Sequence, residues 1–174
     1  MTLLRLLFLF LVLPGLAIVL SVTAKEARSS ESLDIVLQMD KGSSLSFYLY
    51  SKSEGTTIYQ ENNSWGYGCR TLIAKDKATG KKHQILRQER NWKHNAPGTL
   101  VLNRQHGIET KFDLCDGSWY ALPKLPAKAT VQVELSPVYE IKKKEAALGK
   151  TWYGKVVGRA IDYSINCPEK LNQY

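Results

Sequence analysis

The chain has 174 residues, the length of one domain, and carries 24 lysines and arginines against 16 acidic residues, a net charge of +8. A domain of about 150 residues buries roughly 70% of its unfolded surface, so it can hold a core without cross-links or metal. The positive balance predicts solubility and anionic company: cell-wall polymer, lipid head groups, nucleic acid or an acidic protein.

Residues 1–24 differ in kind from the rest. Arg5 is their only charge, Leu6 to Leu20 is an apolar run interrupted by Pro14-Gly15, and Val22 and Ala24 stand at the small-residue positions of a cleavage site. The segment predicts a secretory signal peptide cut after Ala24, hence an exported protein, periplasmic or secreted. The alternative is an uncleaved N-terminal membrane anchor, since Leu6 to Ala24 is 19 residues without a charge. The helix-breaking Pro14-Gly15 favours cleavage, and no cysteine near the cut offers a lipoprotein anchor. Cleavage removes one basic residue and no acidic one, which leaves a net charge of +7.

Residues 25–32 are polar and aperiodic and read as a disordered lead-in to a single domain over 33–167, with 168–174 as a tail. Leu33, Ile35, Leu37 and Met39 alternate with polar residues, apart from Val36. Asp40-Lys41-Gly42 is a turn, and Leu45, Phe47 and Leu49 alternate again. These are two strands whose tight connection predicts antiparallel pairing. Thr56 to Tyr59 suits a short strand. Asn62-Asn63-Ser64 is a loop that also matches the N-glycosylation acceptor pattern. In Trp65-Gly66-Tyr67-Gly68, glycines separate two rings, which suits a binding loop or the cover of one end of a core.

Cys69 to Lys75 and His83 to Glu89 flank a charged tip and predict a hairpin. Arg87, Arg90, Lys93 and His94 then lie close together with Trp92 among them. Basic residues beside an aromatic can grip a phosphate or a sugar, and they equally suit a solvated loop. From Pro97 to Tyr120 a period of two returns: Leu100 and Leu102, a polar corner ending in Gly107, then Ile108, Thr110, Phe112 and Leu114, with Glu109, Lys111 and Asp113 in the gaps. The stretch reads as a β-hairpin or a bent strand with one face in a core.

Pro123 and Pro126 make the next segment irregular. Val131, Val133 and Leu135 alternate as a strand, and Pro137 marks a bulge or an edge. Residues 143–149 are the one segment with helical leaning. Lys155 to Asn166 is the last strand. About seven or eight antiparallel strands without alternating long helices predict an all-β, immunoglobulin-like sandwich, with a barrel as the alternative.

Two of Cys69, Cys115 and Cys167 can pair after export, leaving one over. Alternation points Cys167 inward with Tyr163 and Ile165, and Cys115 outward unless the strand has ended; neither phase selects a pairing. No cofactor is expected. His83, His94 and His106 do not form the helical zinc-protease motif, and there is no Cys-x-x-Cys, nucleophile elbow, phosphate-binding glycine loop or dinucleotide fingerprint. A spatial arrangement of a serine, a histidine and Asp113 or Asp116 is a catalytic form the sequence leaves open; a free thiol nucleophile is disfavoured further, since export favours oxidation or burial. Lys142-Lys143-Lys144, near Lys150, Lys155 and Arg159, makes the C-terminal third the most basic region; it suits an anionic lipid or polymer, or a solvated loop.

A leucine-rich strand, a polar corner, then Ile-x-x-x-Phe-Asp-Leu and an aromatic before a proline-containing loop resembles exported immunoglobulin-like sandwiches. It is similar to the small β-sandwich domain beside deuterolysin-type metalloproteases. Leu100, Leu102, Ile108, Phe112, Asp113, Leu114 and Tyr120 carry the likeness, which extends as strand spacing from Leu33 to Leu135. Pro97-Gly98 departs from it, standing before the first strand where a glycine corner would follow. The resemblance implies a fold and carries over no catalytic residue, because the protease motif is absent.

The expected function is therefore non-enzymatic binding of a protein or an anionic or glycan partner of the envelope or extracellular space. The binding residues would be Trp65, Tyr67, Trp119 and Trp152, with Lys142, Lys143 and Lys144. No strong nucleic-acid signal is present, and membrane contact requires an uncleaved N-terminus. An inhibitor of a secreted enzyme and a small secreted hydrolase or accessory domain are the alternatives.

Overall fold

A computed structural model describes residues 32–40, 44–92 and 97–174. The predicted signal peptide, most of the lead-in, Lys41-Gly42 of the first turn, Lys93 and His94 lie outside the described residues. The fold is all-β and antiparallel. In chain order the elements are β1 (Leu33–Met39), β2 (Leu45–Ser51), β3 (Thr56–Tyr59), α1 (Ser64–Tyr67), β4 (Arg70–Asp76), β5 (Lys82–Arg87) and β6 (Thr99–Leu102). They continue with β7 (Ile108–Phe112), β8 (Trp119–Leu122), β9 (Val131–Ile141), α2 (Lys143–Gly149), β10 (Gly154–Val157), β11 (Ile161–Ile165) and α3 (Pro168–Leu171).

Three sheets result. β1-β2-β7 form one, β10-β9-β4-β5-β8 with β11 also on β9 form the largest, and β3-β6 form a short ribbon. The alternations seen in sequence set the inward faces. Leu33, Ile35 and Leu37 of β1, Phe47 and Leu49 of β2, Leu72 and Ala74 of β4, and Val131, Val133 and Leu135 of β9 join one buried cluster. Phe112 of β7 lies between the sheets, 5.1 Å from the ring of Phe47 and 5.0 Å from that of Trp119 on β8. The two larger sheets thus share one core, the layered solution for half-buried strands.

The eleven strands among the described residues exceed the expected seven or eight, in part for two reasons. The last predicted strand is two, β10 and β11, separated at Gly158-Arg159-Ala160, and Trp119–Leu122 forms a strand of its own. Pro137 sits at that separation. Its carbonyl accepts from the Gly158 N–H at 2.9 Å, so its missing N–H falls where the neighbouring strand is interrupted.

The reading of a hairpin between Leu100 and Leu114 is corrected. β6 pairs with β3 and β7 pairs with β2, so the corner at Asn103–Gly107 carries the chain from one sheet to another. Alternation reports faces and is silent on partners, which is why the inward residues were readable and the pairing was not. The helix over Lys143–Gly149 is present and closes on Lys150 in the left-handed region, φ 51°. The 168–174 segment is no loose tail: α3 buries Leu171, and the Asn172 side chain bonds both backbone groups of Leu125 at 2.8 and 3.0 Å. Cys115 and Cys167 form the disulfide, with Cα atoms 5.8 Å apart, and Cys69 is the free, buried cysteine. No helix among the described residues is long and apolar enough to cross a membrane.

Candidate functional site

One turn of helix organises the site. β3 ends at Tyr59, and the Gln60 N–H bonds the Gly98 carbonyl at 2.9 Å. Asn63 then caps α1, its Oδ1 accepting from the N–H groups of Trp65 and Gly66 at 3.0 Å each. The short helix lies hard against the chain that precedes it: a Cβ at Gly66 would run into the Gln60 carbonyl. Gly66→Ala is therefore expected to lower stability by about 1–3 kcal/mol, read as a lower urea midpoint at constant slope. An unchanged midpoint would mean that α1 is not held by this approach.

The turn leaves Glu61 between two arginines from the largest sheet. Arg70, at the start of β4, pairs with Glu61 Oε2 and donates to Thr110 Oγ1 on β7; Thr110 Oγ1 donates to Glu61 Oε2 at 2.7 Å. The Arg70 side chain is only 3% exposed, and burial pulls its guanidinium below the ordinary value while Glu61 opposes the shift. Arg87, at the end of β5, lies 2.6 Å from Glu61 Oε1 through Nη1, an ion pair without hydrogen-bond alignment. The trio, together with Thr110, ties the loop after β3 to both large sheets.

Around this trio the rings and guanidiniums stack. The β5–β8 register sets Arg87 opposite Trp119, and its guanidinium lies 5.0 Å from that indole and 4.6 Å from the Tyr67 ring. Arg90, exposed, stacks at 4.8 Å on the same tyrosine, and Trp92 meets Tyr67 edge-on at 5.4 Å. Glu61, Asn62, Tyr67, Arg87, Arg90 and Trp92 line a cleft of ≈ 370 Å³. Three guanidiniums against one carboxylate leave the group with two net positive charges. Arg90 makes no ion pair among the described residues. Among the described residues the Tyr67 hydroxyl and Arg87 Nε are buried without a hydrogen-bond partner. Asn62, the acceptor of the Asn-x-Ser pattern, is exposed at the rim.

The expected site residues are divided by the structure. Tyr67, 7% exposed, lines this cleft. Trp65, half-buried, and Lys142 line a second cleft of ≈ 510 Å³ with Cys69, Glu140 and Glu145. Lys143 and Lys144 are exposed on α2, Lys143 lying 5.7 Å from the Tyr153 ring. Trp119 and Trp152 are corrected: each is 1% exposed and belongs to the core. Both stand next to turns in sequence, and the strand and backbone pairing around them fold their rings inward.

The second cleft carries two carboxylates against one lysine, and its thiol is shielded. Cys69 Sγ donates to the Trp65 carbonyl at 3.0 Å, and burial pushes its pKa up to about 12. Cys69 is therefore expected to resist alkylation at pH 8 in the native protein and to give one reactive thiol per chain on unfolding without reductant. Intact mass after iodoacetamide reads both states, and native labelling would show that the site opens.

Of the histidines described, His83 bonds the Pro123 carbonyl through Nδ1 at 2.8 Å, and His106 bonds Asn103. Asp113 and Asp116 each accept from a backbone N–H two residues on, at Cys115 and Ser118. No histidine–carboxylate–serine arrangement forms among the described residues, and no group of three metal-ligating side chains is found there. His94 lies outside them.

Sequence reading marked Arg87, Arg90 and Trp92 as basic residues beside an aromatic but did not bring Glu61 or Arg70 to them. The cluster joins four separate segments of chain, and no spacing in sequence encodes it. No family model, curated protein or solved structure matches this chain.

Proposed function

We propose that the protein is an exported, non-enzymatic β-sandwich that binds an anionic partner through the Arg87/Arg90 cleft. The observation that carries the reading is the charge imbalance: one carboxylate pairs with two of three guanidiniums among the described residues, and the third, Arg90, is exposed on an aromatic support. An arginine fixed against a ring is pre-organised for an oxyanion, because less side-chain freedom is lost on binding than for an extended lysine. The Cys115–Cys167 bridge is compatible with export into an oxidising compartment. The partners of His83 and His106 give no support to hydrolysis.

Binding of the purified protein to polyphosphate, a polyuronate, a sulfated polysaccharide and neutral dextran tests this reading. At least one anionic polymer is expected to bind and dextran is not, with affinity falling as salt rises. Arg90→Ala is expected to weaken that binding at least tenfold, and Lys143→Ala to change it less than twofold. Equal losses in the two variants would assign the effect to overall charge and sink the proposal.

A further inference from the structure

Resting on that reading, we infer that the cleft takes a carboxylated saccharide, one hexuronate unit of an acidic glycan, rather than a bare phosphate or sulfate. Four features of the same cleft converge. Among the described residues its positive charge comes from arginines, and the planar guanidinium fork matches the planar carboxylate. One wall is the half-buried Trp92 ring, which suits a ligand with an apolar face; a sugar ring has one in its axial C–H groups, and a phosphate has none.

The Asn62 amide at the rim offers a donor and an acceptor to ring hydroxyls. The Tyr67 hydroxyl, on a side chain 7% exposed, is a buried polar group on the cleft wall that has no hydrogen-bond partner among the described residues. A polar ligand that reaches it would supply one. A nucleobase fits less well, because Tyr67 already carries the guanidiniums of Arg87 and Arg90 at 4.6 and 4.8 Å and has little face left for a planar ring. The volume of ≈ 370 Å³ stands at the small end of ligand pockets, room for a single ring with the polymer continuing into solvent.

The test is calorimetric titration of the purified protein with a galacturonate trimer, a neutral galactose trimer and inorganic tripolyphosphate, repeated with Arg90→Ala and Trp92→Ala. The uronate trimer is expected to bind, the neutral trimer to bind at least tenfold more weakly, and each substitution to weaken uronate binding at least tenfold. Tripolyphosphate binding that depends on Arg90, without uronate binding, would overturn the saccharide assignment and leave the anion cleft standing. Uronate binding indifferent to Trp92→Ala would overturn it as well, since the ring then contributes nothing. Absence of binding by both anions would remove this inference and the anion cleft together.

Discussion

Replacing Cys115 and Cys167 together by serine is expected to lower the unfolding free energy by about 4 kcal/mol, because the bridge spans a sequence separation of 52 and removes that loop's freedom from the unfolded chain. The same change should lower the melting temperature by roughly 8–16 °C for a domain of this size. The effect should spread locally. The bridge anchors the stretch in which Lys170 Nζ donates to the Cys115 carbonyl at 2.9 Å, Leu171 is buried, and Asn172 brackets Leu125. Urea unfolding of the wild type and the double serine variant measures the first quantity, and hydrogen exchange over residues 165–174 measures the second. An unchanged midpoint together with unchanged protection of α3 would show that packing alone holds the C-terminal segment.

Glu61→Gln is the second change with a large expected effect. The substitution keeps the shape of the side chain and removes the carboxylate that lies between Arg70 and Arg87. Arg70, 3% exposed, then remains a buried cation without its counter-charge, a situation that costs about 3–5 kcal/mol. Arg70→Met alone leaves Glu61 facing Arg87 and should cost less, because Glu61 is 21% exposed and keeps one partner. The double variant should recover part of the loss of Glu61→Gln, so a double-mutant cycle is expected to give a coupling energy of about 1–3 kcal/mol. Additive losses would mean that the loop after β3 is held by packing and that the ion pairs are incidental. The cleft should suffer with the trio, since Glu61 fixes the guanidinium of Arg87 that stacks on Tyr67.

The all-β class, the inward residues of most strands and the short helix over Lys143–Gly149 were legible in the sequence. Each rests on local periodicity, and a half-buried strand writes its period directly into the residue types. Leu33, Ile35, Leu37, Phe47, Leu49, Phe112, Leu114, Val131, Val133 and Leu135 are buried as their phase requires. The basic character of the chain was equally plain, and so was the pairing of two cysteines out of three, but not which two.

What the sequence could not carry was partnership between distant segments. Leu100 and Leu102 pair with Thr56 to Tyr59 rather than with the strand that follows, because hydrogen-bonded register is decided by which sheets close over the core. Trp119 and Trp152 stand beside turns yet are buried, because an aromatic near a turn points wherever the core has room. The candidate site belongs to this second kind. Arg87, Arg90 and Trp92 are neighbours in sequence and were visible as such. Glu61 and Tyr67 come from the loop and helix after β3, Arg70 from the start of β4 and Thr110 from β7. Only the tertiary structure sets one carboxylate among three guanidiniums, since ion pairs and ring stacking act over a few ångströms of space and leave no period along the chain.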